Sequence, residues 1–119
     1  MVRSLQEGRS IGIVGDQDAR KAGVFVPFFG IPSSTYRGPA MFALKFGAPI
    51  FASIARRLPD GRYRVEARQV EATPTGDVEE DVRRVTAELA AHLEAEIRKD
   101  PGQYFWFHRR WKTRPPKEL

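Results

Sequence analysis

The stretch Ser10–Gly30, SIGIVGDQDARKAGVFVPFFG, constrains the fold more than any other part of the chain. Ile11, Ile13 and Val14 form a short apolar run that ends in the polar cluster Asp16-Gln17-Asp18. A second apolar run, Val24–Phe29, follows a glycine-bearing loop. A run this apolar suits a strand buried on both faces, as in a parallel sheet, rather than one with a wet face. Ser10–Gly15 is therefore expected to be such a strand. Asp16–Asp18 would then lie just beyond its end, where open α/β sheets keep their ligand chemistry. Pro27 brings no N–H to a ladder, so Val24–Phe29 is expected at a sheet edge or as an irregular extended segment. Ile31–Gly38, rich in Ser, Thr, Pro and Gly, reads as loop.

The remaining elements follow from local signals. Residues 2–8 look like the last turns of a helix stopped by Gly8. Pro39 suits the first turn of an apolar helix that ends before Gly47. Pro49–Ala55 reads as a buried strand, and Pro59-Asp60-Gly61 as a turn in which Pro presets φ and Gly supplies positive φ. Arg62–Val70 alternates Tyr63, Val65 and Ala67 against charged residues, which predicts a half-exposed antiparallel return strand. After a linker, Ala72–Gly76, Asp77 caps a long helix with Glu80 as its capping-box partner. The stripe Val78, Val82, Val85, Leu89, Leu93, Ile97 steps by four and three along one face. Pro101 ends that helix, and Tyr104–Trp111 is expected to form a terminal aromatic–basic helix. The fold class expected is α/β.

Size and charge narrow the setting. With 119 residues the chain is one domain at most, or part of a larger one. No apolar run approaches the roughly 20 residues that cross a bilayer, and MVRSLQEGRS has no apolar core, so no secretory signal is expected. The absence of cysteine excludes disulfides and thiolate metal sites. The formal net charge of +5 divides into +5 over residues 1–76, −4 over 77–100 and +4 over 101–119. Basic surfaces on either side of an acidic helix fit phosphates on nucleic acid, anionic lipid or an acidic partner protein.

Few side chains carry candidate chemistry. Asp16, Gln17 and Asp18 could bind a cation, orient a hydroxyl or act as acid and base, or could simply shape a turn. His92 is expected at the surface, flanking the helix stripe, and His108 packed among aromatics and arginines. There is no Cys/His cluster, nucleophile elbow or phosphate-binding glycine loop, and no metal site is expected. Ser33, Ser34 and Thr35 read as caps or turn formers. The block YFWFHRRWKTR suits a bilayer interface, with phosphates held by the cations. It equally suits base stacking beside a nucleic-acid backbone, or aromatics packed on the sheet with the cations left in water.

In order, IVGDQD, GVFVPFFG, SSTYRGPAMFALKFGAPI and QYFWFHRRWKTRP resemble the C-terminal part of the bacterial lipid A biosynthesis acyltransferases of the lauroyl/myristoyl type, within the lysophospholipid acyltransferase superfamily. The resemblance runs from about Leu5 to Pro116. It implies a partial glycerol-3-phosphate acyltransferase-like sheet with flanking helices, the N-terminal half of the domain being absent. The activity implied is transfer of a fatty acyl chain from acyl-carrier protein to a hydroxyl of a glycolipid, a lipid A precursor. The place implied is the cytoplasmic face of the inner membrane, with peripheral attachment, no cofactor and no nucleic-acid partner. By position, Asp16 and Gln17 match the segment that lines the catalytic cleft. Phe28, Phe29, Gly30 and Thr35 match the acceptor-side loop, and Tyr104, Trp106, Arg109, Arg110 and Lys112 the C-terminal signature. Arg37 and the C-terminal arginines are assigned to acceptor phosphates.

The family's catalytic motif is a histidine followed five positions later by an acid. Here that position holds Ile97 after His92 and Thr113 after His108. The base is missing, so Asp16 and Gln17 take supporting roles and the chain is expected to be inactive alone. Its partners would be acyl-carrier protein, the glycolipid, the membrane surface and the N-terminal half of the domain. Two alternatives stand beside this: a related enzyme acylating a mannosylated phosphoinositide, and a small basic nucleic-acid-binding module.

Overall fold

Helix α3 (Val78–Lys99) is the spine of the molecule, and every other large element packs against it. The computed structural model describes residues 1–117. Asp77 caps α3 by accepting the Glu80 N–H at 3.2 Å. Glu79, Glu80 and Asp81 in the first turn and Arg98 and Lys99 in the last complement the helix dipole. Val82, Val85 and Ile97 are buried along the expected stripe, whereas Val78 stays exposed, so the apolar face begins one turn late. Its place in the first turn is taken by buried Asp81, whose carboxylate accepts the Thr75 N–H at 2.9 Å and the Thr75 hydroxyl at 2.7 Å. Those bonds, with Arg84 beside them, hold the Asp81 carboxyl below the usual carboxylate range.

Two antiparallel hairpins lie on the spine. Strands β1 (Val24–Phe28) and β2 (Ile31–Thr35) pair from Val24↔Thr35 to Phe28↔Ile31. The turn between them has two residues, Phe29 and Gly30, at φ 52° and 74°, the pattern of a type I′ hairpin. In such a hairpin the closing pair is hydrogen-bonded and the next pair is not. Pro27 faces Pro32 at that next pair, so the two missing donors fall where the ladder needs none. Val24, Val26 and Phe28 form the buried face of β1. Strands β3 (Ile50–Arg57) and β4 (Tyr63–Val70) form the second hairpin, from Ile50↔Val70 to Arg57↔Tyr63. Its turn is closed by Leu58 N–H to Arg62 C=O at 2.7 Å, with Gly61 at φ 87°. Arg56 on its inner face pairs with Glu96 of α3 at 2.9 Å.

Helix α2 (Gly38–Phe46) completes the core, setting buried Ala40 and Ala43 toward the spine before Gly47 ends it at φ 63°. The core joins Val24, Val26, Ala40, Val70, Val82 and Val85. Helix α1 (Val2–Gln6) precedes Gly8, which has φ 76°.

Several expectations give way here. The α/β class holds, but the parallel sheet does not: among the described residues the strands form two separate antiparallel pairs. Ser10–Gly15 is not a strand, and Val14 is 86% exposed. An apolar run becomes a buried strand only beside another strand, and among the described residues none pairs with it. Asp16–Asp18 is therefore not at the mouth of a sheet. Ile31–Thr35, read as loop, is a strand because the Phe29-Gly30 turn folds it back on β1. The β3–β4 hairpin is covered on one face only, leaving Phe51, Tyr63 and Val65 of the other face exposed. Tyr104–Trp111 is not helical; a 3-10 turn at Pro101–Gln103 leads into successive turns. His92 is half-buried rather than at the surface, and its Nε2 lies 3.7 Å from Glu88.

Gly23, just before β1, is a point of close approach. A Cβ there would overlap Ser34 Oγ and lie 2.8 Å from Ala19 Cβ and 2.9 Å from the Thr35 backbone nitrogen. Gly23→Ala is expected to destabilise the fold by about 2 kcal/mol through overpacking, measured by urea denaturation. An unchanged midpoint would show that β2 can shift aside freely.

Candidate functional site

The site grows out of the tip of the β1–β2 hairpin. Phe29 holds a left-handed conformation that is unusual for a bulky residue, costing roughly 1–2 kcal/mol. Its neighbours offset this: its N–H donates to the Glu94 carboxylate, Arg98 lies 4.7 Å over its ring, and Trp106 and Phe28 pack at 5.7 and 4.8 Å. Glu94 and Arg98 are four apart on α3, so one turn of the spine fixes the hairpin tip.

The C-terminal segment then closes over the tip. Trp111 stacks on Phe28 at 5.6 Å and donates its indole N–H to the Phe28 carbonyl at 3.1 Å. Tyr104 packs on Phe28 at 6.1 Å, and its hydroxyl points to the Asp16 carbonyl at 3.4 Å. Arg110, only 3% exposed, donates to the Ser34 carbonyl at 2.7 Å and the Thr35 hydroxyl at 2.8 Å, with Phe28 under its guanidinium at 5.5 Å. His108 Nε2 accepts the Asp18 N–H at 2.9 Å. Buried Asp18 accepts from Thr113 Oγ1 at 2.7 Å and from the Arg20 N–H at 3.1 Å. The inward residues Tyr104, His108, Arg110 and Trp111 are spaced four, two and one apart. No single helix face has that spacing, which is why the block abandons helix for turns.

Electrostatics follow from this burial. Burial pushes the Tyr104 phenol up, helped by the nearby Asp16 carboxylate, and keeps it a neutral donor. Burial pulls the Arg110 guanidinium down, against the opposing pull of Tyr104, Asp18 and Asp16.

The acidic loop is thereby sorted. Asp18 is consumed in holding the loop to the C-terminal segment. Asp16 is half-buried and Gln17 exposed, and neither side chain has a hydrogen-bond partner among the described residues. The loop thus carries one half-buried carboxylate and one exposed amide, both unengaged, and is held through Asp18. Such a pair can orient a hydroxyl or a partner imidazole.

The acidic loop, the hairpin through Thr35 and the C-terminal block, all parts of the segments singled out in the sequence, thus meet in one cluster. The family model for the bacterial lipid A biosynthesis acyltransferases matches residues 1–113. The chain belongs to that family.

Its similarity to individual lipid A acyltransferases covers nearly its whole length. It is 34% identical over 118 residues to the lipid A biosynthesis lauroyltransferase of Escherichia coli K12, covering 97% of this chain and 38% of that protein. It is 32% identical over 122 residues to the palmitoleoyltransferase of the same organism, again covering 38% of the relative and 99% of this chain. A lipid A biosynthesis acyltransferase of Haemophilus influenzae is 32% identical over 123 residues, with the same coverage of 99% and 38%. The chain thus spans about two-fifths of the length of the relatives it matches.

Within this acyltransferase segment the assigned residues separate by surroundings. Phe28, Phe29, Gly30 and Thr35 belong to the hairpin, and Phe28 and Thr35 are buried. Arg109 and Lys112 are exposed beside the cluster, while Arg110 is inside it. Arg37 is engaged elsewhere, bonded to Glu79 of α3 at 2.6 and 3.0 Å. That bonding raises the Arg37 pKa and lowers that of Glu79. Glu94, Arg98 and Thr113 escaped sequence reasoning. Nothing in the spacing of an acid and a cation along a solvated helix says which pair will meet a hairpin tip.

Proposed function

We propose that the chain is the C-terminal portion of an acyltransferase that moves a fatty acyl chain from acyl-carrier protein to a hydroxyl of a lipid A precursor, at the cytoplasmic face of the inner membrane. In this reaction the acceptor oxygen bonds to the thioester carbonyl carbon. The carbon–sulfur bond breaks, and the hydroxyl proton passes by way of a base to the departing thiolate. The base is a histidine in the part of the protein that corresponds to the rest of the relatives' length. Asp16 and Gln17 face it as the second wall, orienting that imidazole or the acceptor. Arg109 and Lys112 serve acceptor phosphates, and Arg110 holds the wall in place from behind.

The observation that carries this reading is the convergence of the acidic loop, the hairpin tip and the C-terminal block, which leaves the Asp16 and Gln17 side chains unengaged. The relatives' names, all referring to lipid A, favour that acceptor over a mannosylated phosphoinositide. The exposed apolar residues Phe51, Tyr63 and Val65 suit packing of further polypeptide on the outer face of the β3–β4 hairpin, as a larger glycerol-3-phosphate acyltransferase-like domain would supply. Among the described residues no helix is long and apolar enough to cross a membrane, which is compatible with peripheral attachment.

The test is acyl transfer to a lipid A precursor by this chain joined to the remaining family length. Asp16→Ala is expected to lower transfer about a hundredfold, within the usual range for a proton-transfer partner. Asp16→Asn should match it, with an altered pH–rate profile and an unchanged near-ultraviolet spectrum. Undiminished transfer by both variants would remove the role of Asp16. Transfer by the 119-residue chain alone would refute the absence of a base.

A further inference from the structure

The aromatic tip at Phe105-Trp106-Phe107 takes no part in the cluster beneath it beyond the inner edge of Trp106. Phe107 is 91% exposed and Phe105 63% exposed, and their rings lie 5.9 Å apart with a 54° tilt. Both flanks of the tip are fixed. Before it, Tyr104 packs on Phe28, and the Trp106 indole N–H donates to the Pro101 carbonyl at 2.7 Å. After it, His108 and Arg110 are bonded to Asp18, Ser34 and Thr35. Two phenyl rings held in water by buried anchors are an interaction feature rather than a frayed end. Along the segment itself the charge is of one sign. Residues 101–117 hold five Lys/Arg and no Asp/Glu. Arg109, Lys112, Arg114 and Lys117 are exposed.

We infer that this tip is a wedge that seats the protein on an anionic bilayer, with Phe105 and Phe107 among the upper acyl chains and Arg109, Lys112 and Arg114 against lipid phosphates. The inference rests on the preceding reading, that the chain works on a glycolipid in a membrane, and adds the surface that meets the membrane. Charge complementarity selects this occupant, since apolar rings ringed by cations match an interface of acyl chains beneath phosphates. A second copy of the same tip would bring like charges together. A nucleic-acid strand fits less well: tilted rings in mutual contact leave no slot between parallel faces for a base.

The experiment is co-sedimentation of the 119-residue chain with phosphatidylcholine vesicles, with and without phosphatidylglycerol. Binding is expected to be selective for the phosphatidylglycerol vesicles and to weaken as salt rises. Phe105→Ser/Phe107→Ser is expected to weaken it about a hundredfold, as two buried rings are lost. Tyr63→Ser/Val65→Ser, on the outer face of β4, is expected to leave it unchanged. Circular dichroism spectra matching the parent establish that both variants fold. Equal binding by the tip variant and the parent, or an equal loss in the β4 variant, would overturn the inference. So would binding to a single-stranded oligonucleotide, abolished by the tip variant, with no vesicle binding. Absence of vesicle binding with acyl transfer intact in the longer protein would refute the wedge alone. Vesicle binding lost in the tip variant, with no acyl transfer in the longer protein, would support the wedge and refute the enzymatic reading.

Discussion

Phe28→Ala is expected to cost about 3–5 kcal/mol of folding free energy, the range for removing a fully buried aromatic side chain. Phe28 is 1% exposed and is the buried ring on which the hairpin and the C-terminal segment meet. Trp111, Phe29 and Tyr104 contact it from three directions and Arg110 lies over its face. Truncation leaves a cavity that β1 cannot fill, because its register to β2 is pinned by the two-residue turn and by the proline pair. The melting temperature should fall by roughly 10–20 °C. Phe28→Leu, which keeps most of the volume, should recover more than half of the loss. An alanine variant within about 1 kcal/mol of the parent would mean that the cluster collapses around the gap, and that Phe28 does not organise it.

What could be read from sequence and what could not divides along the range of the forces involved. Helix α3 was legible because its cap at Asp77, its stripe and its terminal charges are all local. The β3–β4 hairpin was legible from Pro59-Asp60-Gly61 for the same reason. The Phe29-Gly30 turn was not, since phenylalanine carries no turn signal. Its positive φ is held by Glu94 and Arg98, 65 and more positions away. Ser10–Gly15 failed in the opposite sense. Ile11, Ile13 and Val14 have the composition of a buried strand, but burial requires a neighbouring strand that their own composition cannot supply.

For the site, the segments that carry the resemblance are local in sequence, and their convergence needed the fold. The acids of the loop looked equivalent in sequence. Only the position of Thr113 and His108 separates Asp18, which is buried and committed, from Asp16, which is half-buried and unengaged. The same divide applies to the adjacent arginines Arg109 and Arg110, one exposed and one inside.

That last distinction makes Arg110 the second decisive substitution. Arg110→Ala removes the donors that join the C-terminal segment to β2, and is expected to destabilise the protein by about 3 kcal/mol, since hydrogen bonds from a charged group contribute about 1.5–3 kcal/mol each and desolvation offsets part of that. Arg110→Met separates shape from bonding. It restores the packing over Phe28 without the charge, and the groups it abandons keep other partners. The Ser34 carbonyl still accepts the Ala19 N–H at 3.1 Å, and the Thr35 hydroxyl still donates to the Ser33 carbonyl at 3.0 Å. The Met variant should therefore lose about half as much as Ala. Amide exchange gives the sharper reading. The Asp18 N–H is bonded to His108 and the Ala19 N–H to Ser34, directly on either side of the Arg110 anchor. In Arg110→Ala both should lose protection ahead of the amides of α3, because the C-terminal segment opens locally while the spine persists. If the Asp18 amide kept its parental protection in that variant, His108 and Thr113 would suffice to hold the loop. Arg110 would then be a buried passenger, and the wall that presents Asp16 and Gln17 would be built without it.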